Sequence, residues 1–125
     1  MKVYIATSFH DKERAEFVAL MLKEQGHEIT CEWWKSKGPS VDEALKDIRG
    51  IENCDAIVGL FEKPFIYKGA ILELGVAYAM KKIIIVLGKE LDSMVFTLLP
   101  EFNKAKNLTQ VLKYLSYKIK EDVPL

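Results

Sequence analysis

The chain has 125 residues, half of them hydrophobic, and its 18 Lys and Arg residues balance 18 Asp and Glu. A neutral chain is a poor candidate for binding along a nucleic-acid polymer, which needs a basic face, and its longest apolar run is far short of the ~20 residues that cross a bilayer. The length predicts one domain over residues 1–125, large enough to bury a core without staples.

Val3 to Ala6 is a short apolar run and reads as a buried first strand. Asp11 caps a helix running to about Gln25, with Ala15, Val18, Ala19 and Leu22 on one face and Gly26 as its stop. His27 to Trp33 alternates and is β-prone, which predicts a second strand. Lys35 to Pro39 is a polar loop, and Ser40 with Glu43 forms a capping box for a helix to about Asn53. Asp55 to Phe61 is the third strand, followed by a loop from Glu62 to Lys68. The segment Gly69 to Met80, GAILELGVAYAM, predicts a helix hydrophobic on every side and therefore buried. Ile83 to Leu87 is a fourth strand with an unbroken apolar run, as expected of a strand covered on both faces. A short helix over Ser93 to Leu99 and a weak fifth strand over Asn103 to Lys106 come next. Asn107 or Thr109 opens a last amphipathic helix with Val111, Leu112, Leu115 and Ile119 inward.

Strands alternating with helices predict parallel β-α-β units with right-handed crossovers. The expected fold is therefore α/β, a flavodoxin-like or Rossmann-like three-layer sandwich with a five-stranded parallel sheet in the order 2-1-3-4-5. Ligands on such sheets bind beyond the carboxyl ends of the strands, where the order reverses. That crevice falls between strands one and three, walled by Thr7, Ser8, Phe9 and His10 and by the loop from Glu62 to Lys68. The chain opens directly on a strand, with no signal-peptide pattern. Cys31 and Cys54 sit in or beside predicted core strands and read as free thiols of a cytoplasmic protein. Two histidines and two dispersed cysteines supply no metal-ligand spacing, so neither a metal nor another cofactor is expected.

Several occupants of this fold are excluded. There is no phosphate-binding G-x-x-x-x-G-K-[ST] loop and no G-x-G-x-x-G fingerprint. Asp55 opens the third strand, the wrong end for the acceptor of a response regulator, and reads as a turn residue. No Ser-His-Asp set can be assembled by spacing. What remains is Glu73. It is the one charged carboxylate in a dry twelve-residue segment, and Gly69, Val76, Ala77 and Met80 on its face offer no cation. An unpaired buried carboxylate is neutralised, hydrogen-bonded or in use. A Glu in a dry pocket can attack an anomeric carbon and form a glycosyl-enzyme ester, provided a second carboxyl group protonates the leaving group. Asp47, on the helix feeding strand three, is the candidate for that second group, against its reading as a solvated helix residue. Tyr4 on the central strand can donate its hydroxyl to Glu73. The helix N-terminus and this hydroxyl are expected to hold Glu73 ionised against its dry surroundings. At least one of Trp33 and Trp34 is expected to face the crevice and stack on a planar base, the alternative being core filling.

At this point the pattern resembles the nucleoside 2-deoxyribosyltransferase family and its relatives, the nucleoside 5′-monophosphate N-glycosidases. The matching pieces are KVYIATSF, GHEIT, CDAIVGLF, KGAILELGVAYAMKKIIIVLG and MVFTLLP, spread over most of the chain. The G-x-x-x-E-L-G-x-A-x-A segment followed by a strand is the specific part. The resemblance implies that Glu73 is the nucleophile at the sugar C1′, that Asp47 lines the base side, and that Tyr4 is the family's tyrosine on strand one. It also implies a homo-oligomer, because a residue from a neighbouring subunit commonly completes the site, and Thr97 matches that position. The substrate-binding set is then Thr7, Ser8, Phe9, His10, Trp33, Trp34, Tyr67, Gly69 and Thr97. The implied substrate is a nucleoside or its monophosphate, and the implied products follow from transfer to a second base or to water.

The chain departs from the family at Tyr67, where the transferases place Asp and the hydrolases tend to place Ser. The hydrolases' glycine-rich, arginine-containing loop is replaced by Thr7 to His10. Tyr67 and Thr97 offer neutral hydroxyls near the sugar 5′ end where the transferases offer a carboxylate. A carboxylate would repel a phosphate and hydroxyls can donate to it, so tolerance of 5′-monophosphates is expected. Two other readings stay open: a Toll/interleukin-receptor-like NAD glycohydrolase, which also uses a helix Glu before Leu, and a non-catalytic nucleotide-binding sensor.

Overall fold

The computed structural model describes residues 1–122, with side-chain surroundings through residue 118. Five strands form one parallel sheet in the order β2-β1-β3-β4-β5, built from β1 (Lys2–Ala6), β2 (Glu28–Ile29), β3 (Ala56–Leu60), β4 (Ile83–Leu87) and β5 (Phe102–Ala105). Helices α1 (Lys12–Glu24) and α4 (Leu108–Asp122) cover one face, and α2 (Val41–Asn53) and α3 (Lys68–Ala79) cover the other. This is the expected α/β sandwich with the expected strand order. Alternation along each central strand divides the core. Val3, Ile5, Val58 and Ile85 meet Val18, Leu22, Val111 and Leu115 on one side, while Tyr4, Ile57 and Ile84 meet Ile51, Leu74 and Ala77 on the other.

Local chemistry explains most of the boundaries. Gly26 ends α1 with φ +89°, a conformation that costs a residue without Cβ nothing. Ser40 Oγ accepts from the Glu43 amide at 3.1 Å and caps α2. The Asn107 side chain accepts from the Gln110 amide at 2.9 Å and starts α4. Ile119 lies beyond the residues whose side chains are described, so its inward placement is not addressed by the structure. Among the described residues no helix is long and apolar enough to cross a membrane.

Two elements differ from expectation. The second strand is two residues long rather than seven. Glu28 and Thr30 donate to the carbonyls of Met1, just before β1, and of Val3 within it, both at 3.0 Å. The next acceptor in that row, the Ile5 carbonyl, is taken at 2.7 Å by the Trp33 indole N–H. A side chain thus replaces the next rung, and residues 33–35 coil into a 3-10 turn. Helix α3 is not buried on every side: Ala70, Leu74 and Ala77 are buried, but Leu72 is 69% exposed and Tyr78 and Met80 are partly open. Its second face borders an apolar trough of about 720 Å³ toward Met94, Phe96, Leu99 and Phe102.

Candidate active site

A cleft of about 680 Å³ opens beyond the carboxyl ends of β1 and β3. It is walled by the loop after β1, one face of α2, the residues before α3 and the first turns of α3. Thr7, Ser8, Phe9, His10, Trp33, Asp47, Tyr67, Gly69 and Glu73 all line it.

Glu73 is the sixth residue of α3 and points inward, half-buried. The hydroxyl of Tyr4, a fully buried residue of β1, donates to Glu73 Oε2. Burial pushes the Glu73 carboxyl up to about 7, against the Tyr4 hydrogen bond, which lowers it, and with the Asp47 charge, which raises it further. This reverses the expectation that the hydroxyl and helix terminus hold the group low. A helix dipole acts within its first turn, and Glu73 lies beyond it, so desolvation outweighs the single hydrogen bond. Tyr4 itself is pushed far up by burial and by the Glu73 and Asp47 charges, so it stays a proton donor.

Asp47 is half-buried on α2 and faces the same cleft. Its carboxyl is also raised, by burial, with the Cys31 thiol lowering it and Glu43 raising it. Cys31 Sγ donates to Asp47 Oδ1 at 3.5 Å. Two carboxyl groups with raised affinity for protons therefore face one cavity, with a buried phenol holding one of them. Such an arrangement can supply a nucleophile and an acid within one reaction.

The aromatic wall is made by Trp33 and Phe9, with ring centroids 6.3 Å apart and Phe9 52% exposed. Trp34 is not part of it. It is buried in the core on the α1 side, edge-on to Trp33 at 5.5 Å, so the 3-10 turn sends the two indoles in different directions. The hydroxyls expected to meet a sugar 5′ end are also otherwise engaged. Tyr67 lines the cleft, but its hydroxyl donates to the Lys63 carbonyl. Thr97 is buried beside the apolar trough and donates to the Leu91 and Met94 carbonyls, at 3.2 and 2.8 Å. Thr7 likewise donates to the Leu60 carbonyl at 2.7 Å, whereas Ser8 Oγ accepts from the His10 amide and keeps its own proton.

Ile66 and Lys68, of the loop expected to wall the crevice, line the cleft, whereas Pro39, Ala44, Ile48, Ala70 and Leu72 line it without having been expected there. Ala44 and Ile48 fall three before and one after Asp47, on one helix face, so the spacing around Asp47 carries the signal that finds them. Among the described residues no group of three or more His, Cys, Asp or Glu is placed to hold a metal ion.

No protein-family model matches this sequence, and no curated protein sequence matches it. Solved structures do. The CMP N-glycosidase of Clostridium botulinum is 25% identical, with a TM-score of 0.65 over 94% of this chain and 99% of that one. A 2-deoxyribosyltransferase from Leishmania mexicana is 26% identical, with a TM-score of 0.59 over 70% of this chain and 64% of its own. The 2-deoxyribosyltransferase of Bacillus psychrosaccharolyticus, 18% identical, shares the fold with a TM-score of 0.67 over 91% of this chain and 92% of that one. These neighbours support the resemblance to the nucleoside 2-deoxyribosyltransferase family that the sequence motifs imply.

Proposed function

We propose that this protein cleaves the N-glycosidic bond of a nucleoside or nucleoside 5′-monophosphate and passes the sugar to a second base or to water. The observation that carries this reading is the Tyr4–Glu73 hydrogen bond at the floor of an open cleft that Asp47 also faces. A carboxylate with no cation beside it, kept in a dry place by a phenol, fits a nucleophile better than a structural ion pair. The structural neighbours that are N-glycosidases or deoxyribosyltransferases support the same bond as the target.

In the proposed reaction Glu73 attacks C1′ and forms an ester while the C1′–N bond breaks. The bonding pair leaves with the base, and the Asp47 proton passes to the departing nitrogen. A second base or a water then attacks C1′, gives its proton to Asp47 and releases Glu73. Trp33 and Phe9 hold the base by stacking, and Tyr4 keeps the Glu73 carboxylate aimed at C1′. With Tyr67 and Thr97 engaged elsewhere, their hydroxyls give no preference for a 5′-phosphate, and the substrate class spans both forms.

We further propose a homodimer or larger assembly. Val95, Phe96 and Leu98 are 67, 64 and 72% exposed beside the apolar trough, and Leu72 borders both the trough and the cleft. A second copy seated on the trough would lie at the edge of the site.

The test is incubation with a panel of nucleosides and their monophosphates, with and without a second base, followed by chromatography. Free base identifies hydrolysis and a new nucleoside identifies transfer. No turnover of any member overturns the reading.

A further inference from the structure

We propose that Cys31 is a positioning residue for Asp47, its thiol donating to Asp47 Oδ1 and fixing the carboxyl group on the cleft side of α2. The inference rests on the proposed role of Asp47 and concerns how that group is held. Three observations carry it. The Sγ–Oδ1 separation is 3.5 Å, within the longer range of sulfur hydrogen bonds, and among the described residues no other hydrogen bond reaches the Asp47 side chain. Cys31 lies two residues past β2, between Thr30, whose amide donates to the Val3 carbonyl at 3.0 Å, and Trp33, whose indole donates to the Ile5 carbonyl at 2.7 Å, so the segment that carries it is tied to β1 on both sides. The Thr30 hydroxyl adjoining it donates to the Gly50 carbonyl of α2 at 2.7 Å, tying that segment to the same helix.

Gly50 makes this approach possible. A Cβ at that position would lie 2.8 Å from the Cys31 Cβ and 3.0 Å from the Tyr4 ring. Asp47 is three residues earlier, on the same face of α2. The bare backbone at Gly50 lets α2 settle onto Tyr4 and Cys31, and the thiol then meets the carboxyl one turn away. Burial and the Asp47 charge push the thiol up to about 12, so it stays protonated and available as a donor throughout the working pH range. A thiol is a weak donor, and here its value lies in orientation: the second carboxyl oxygen stays free to deliver a proton into the cleft.

The titratable groups that interact with Asp47 are Glu43 on its own helix, Cys31 after β2, Tyr4 on β1, and Glu73 on α3 across the cleft. The experiment uses full-length Cys31→Ala and Cys31→Ser proteins. The Asp47 carboxyl carbon is followed by NMR against pH, in a Glu73→Gln background that removes the Glu73 titration. Loss of the thiol donor raises the Asp47 midpoint in Cys31→Ala, and the hydroxyl of Cys31→Ser restores it. In the Glu73-containing proteins kcat falls about three- to tenfold for Ala, the worth of one modest hydrogen bond, with KM little changed and Ser near wild type. An unmoved midpoint in Cys31→Ala overturns the proposal, as does a Ser variant shifted as far as Ala. A wild-type protein that turns over no substrate defeats the functional reading alone, because the NMR midpoints still decide whether Cys31 holds Asp47.

Discussion

Glu73 sits where burial and function pull in opposite directions. With its carboxyl raised to about 7 from an ordinary 4.5, the folded state binds more protons than the unfolded one between those values. Folding stability therefore falls as pH rises through this window and levels off above it. Glu73→Gln removes that loss while still accepting from the Tyr4 hydroxyl. Above pH 7 the variant is expected to be more stable than wild type by about 1–3 kcal/mol, with the gain vanishing toward pH 4. Thermal unfolding at both pH values checks this, and an equal difference at the two would show that the charge is not responsible. The same variant should lose at least about 10³-fold in kcat, as expected for removal of a nucleophile. The rate profile follows from the pair. The reactive form holds one proton, on Asp47, with Glu73 ionised, so kcat/KM rises as the first proton leaves the pair and falls as the last one leaves. The alkaline limb is expected near pH 7, with the acid limb above the ordinary range of an aspartate. A profile flat from pH 5 to 9 would separate these carboxyls from catalysis.

At the scale of elements, α2 is where packing and propensity disagree. Gly50 lies inside a helix, where alanine is ordinarily preferred by about 1 kcal/mol. The Cβ of an alanine would meet the Cys31 Cβ at 2.8 Å, closer than real side chains approach, and would press on the Tyr4 ring at 3.0 Å. Gly50→Ala is therefore expected to destabilise by about 1–3 kcal/mol, the usual cost of overpacking. It should also lower kcat, because α2 carries Asp47 and Tyr4 holds Glu73. Denaturant unfolding and turnover measured together check this, and a stabilised, fully active variant would mean that α2 has room to move. The strand order, the Ser40 cap of α2 and the crevice were legible in the sequence because each rests on local chemistry or topology, whereas among the described residues only the Ser40 half of the expected capping box forms. The misreadings lie where a tertiary contact decides. The Trp33 indole takes a β1 carbonyl and cuts β2 short. The direction of Trp34 depends on that turn. Tyr67 is not among these, since it lines the cleft as expected, with its hydroxyl on the Lys63 carbonyl. Apolar composition foretold a buried α3, whereas the fold buries one face and leaves Leu72 and Tyr78 open.

That open face is a property of the whole molecule. A soluble domain rarely leaves a large contiguous apolar patch to water unless something covers it. Here the trough between α3 and the 3-10 turn at Val95–Leu98 is bordered by Phe96 and Leu72, both well exposed, and meets the cleft through Leu72. A second copy lying there would dry the outer side of α3 and narrow the mouth of the cleft. Glu73, already raised by burial, would then be shielded further from water, which strengthens every electrostatic interaction in the site. Phe96→Glu places a charge in the patch and should convert the assembly to a monomer by light scattering. Because Thr97 directs its hydroxyl into its own turn, the neighbour's contribution on this view is apolar cover rather than a hydrogen bond. The monomeric variant should therefore lose activity mainly through weaker substrate binding, seen as a raised KM. Thr97→Val should leave the assembly intact, since the packing volume is nearly kept. A wild-type protein that is monomeric and fully active would confine the site to one chain and leave the trough to another role.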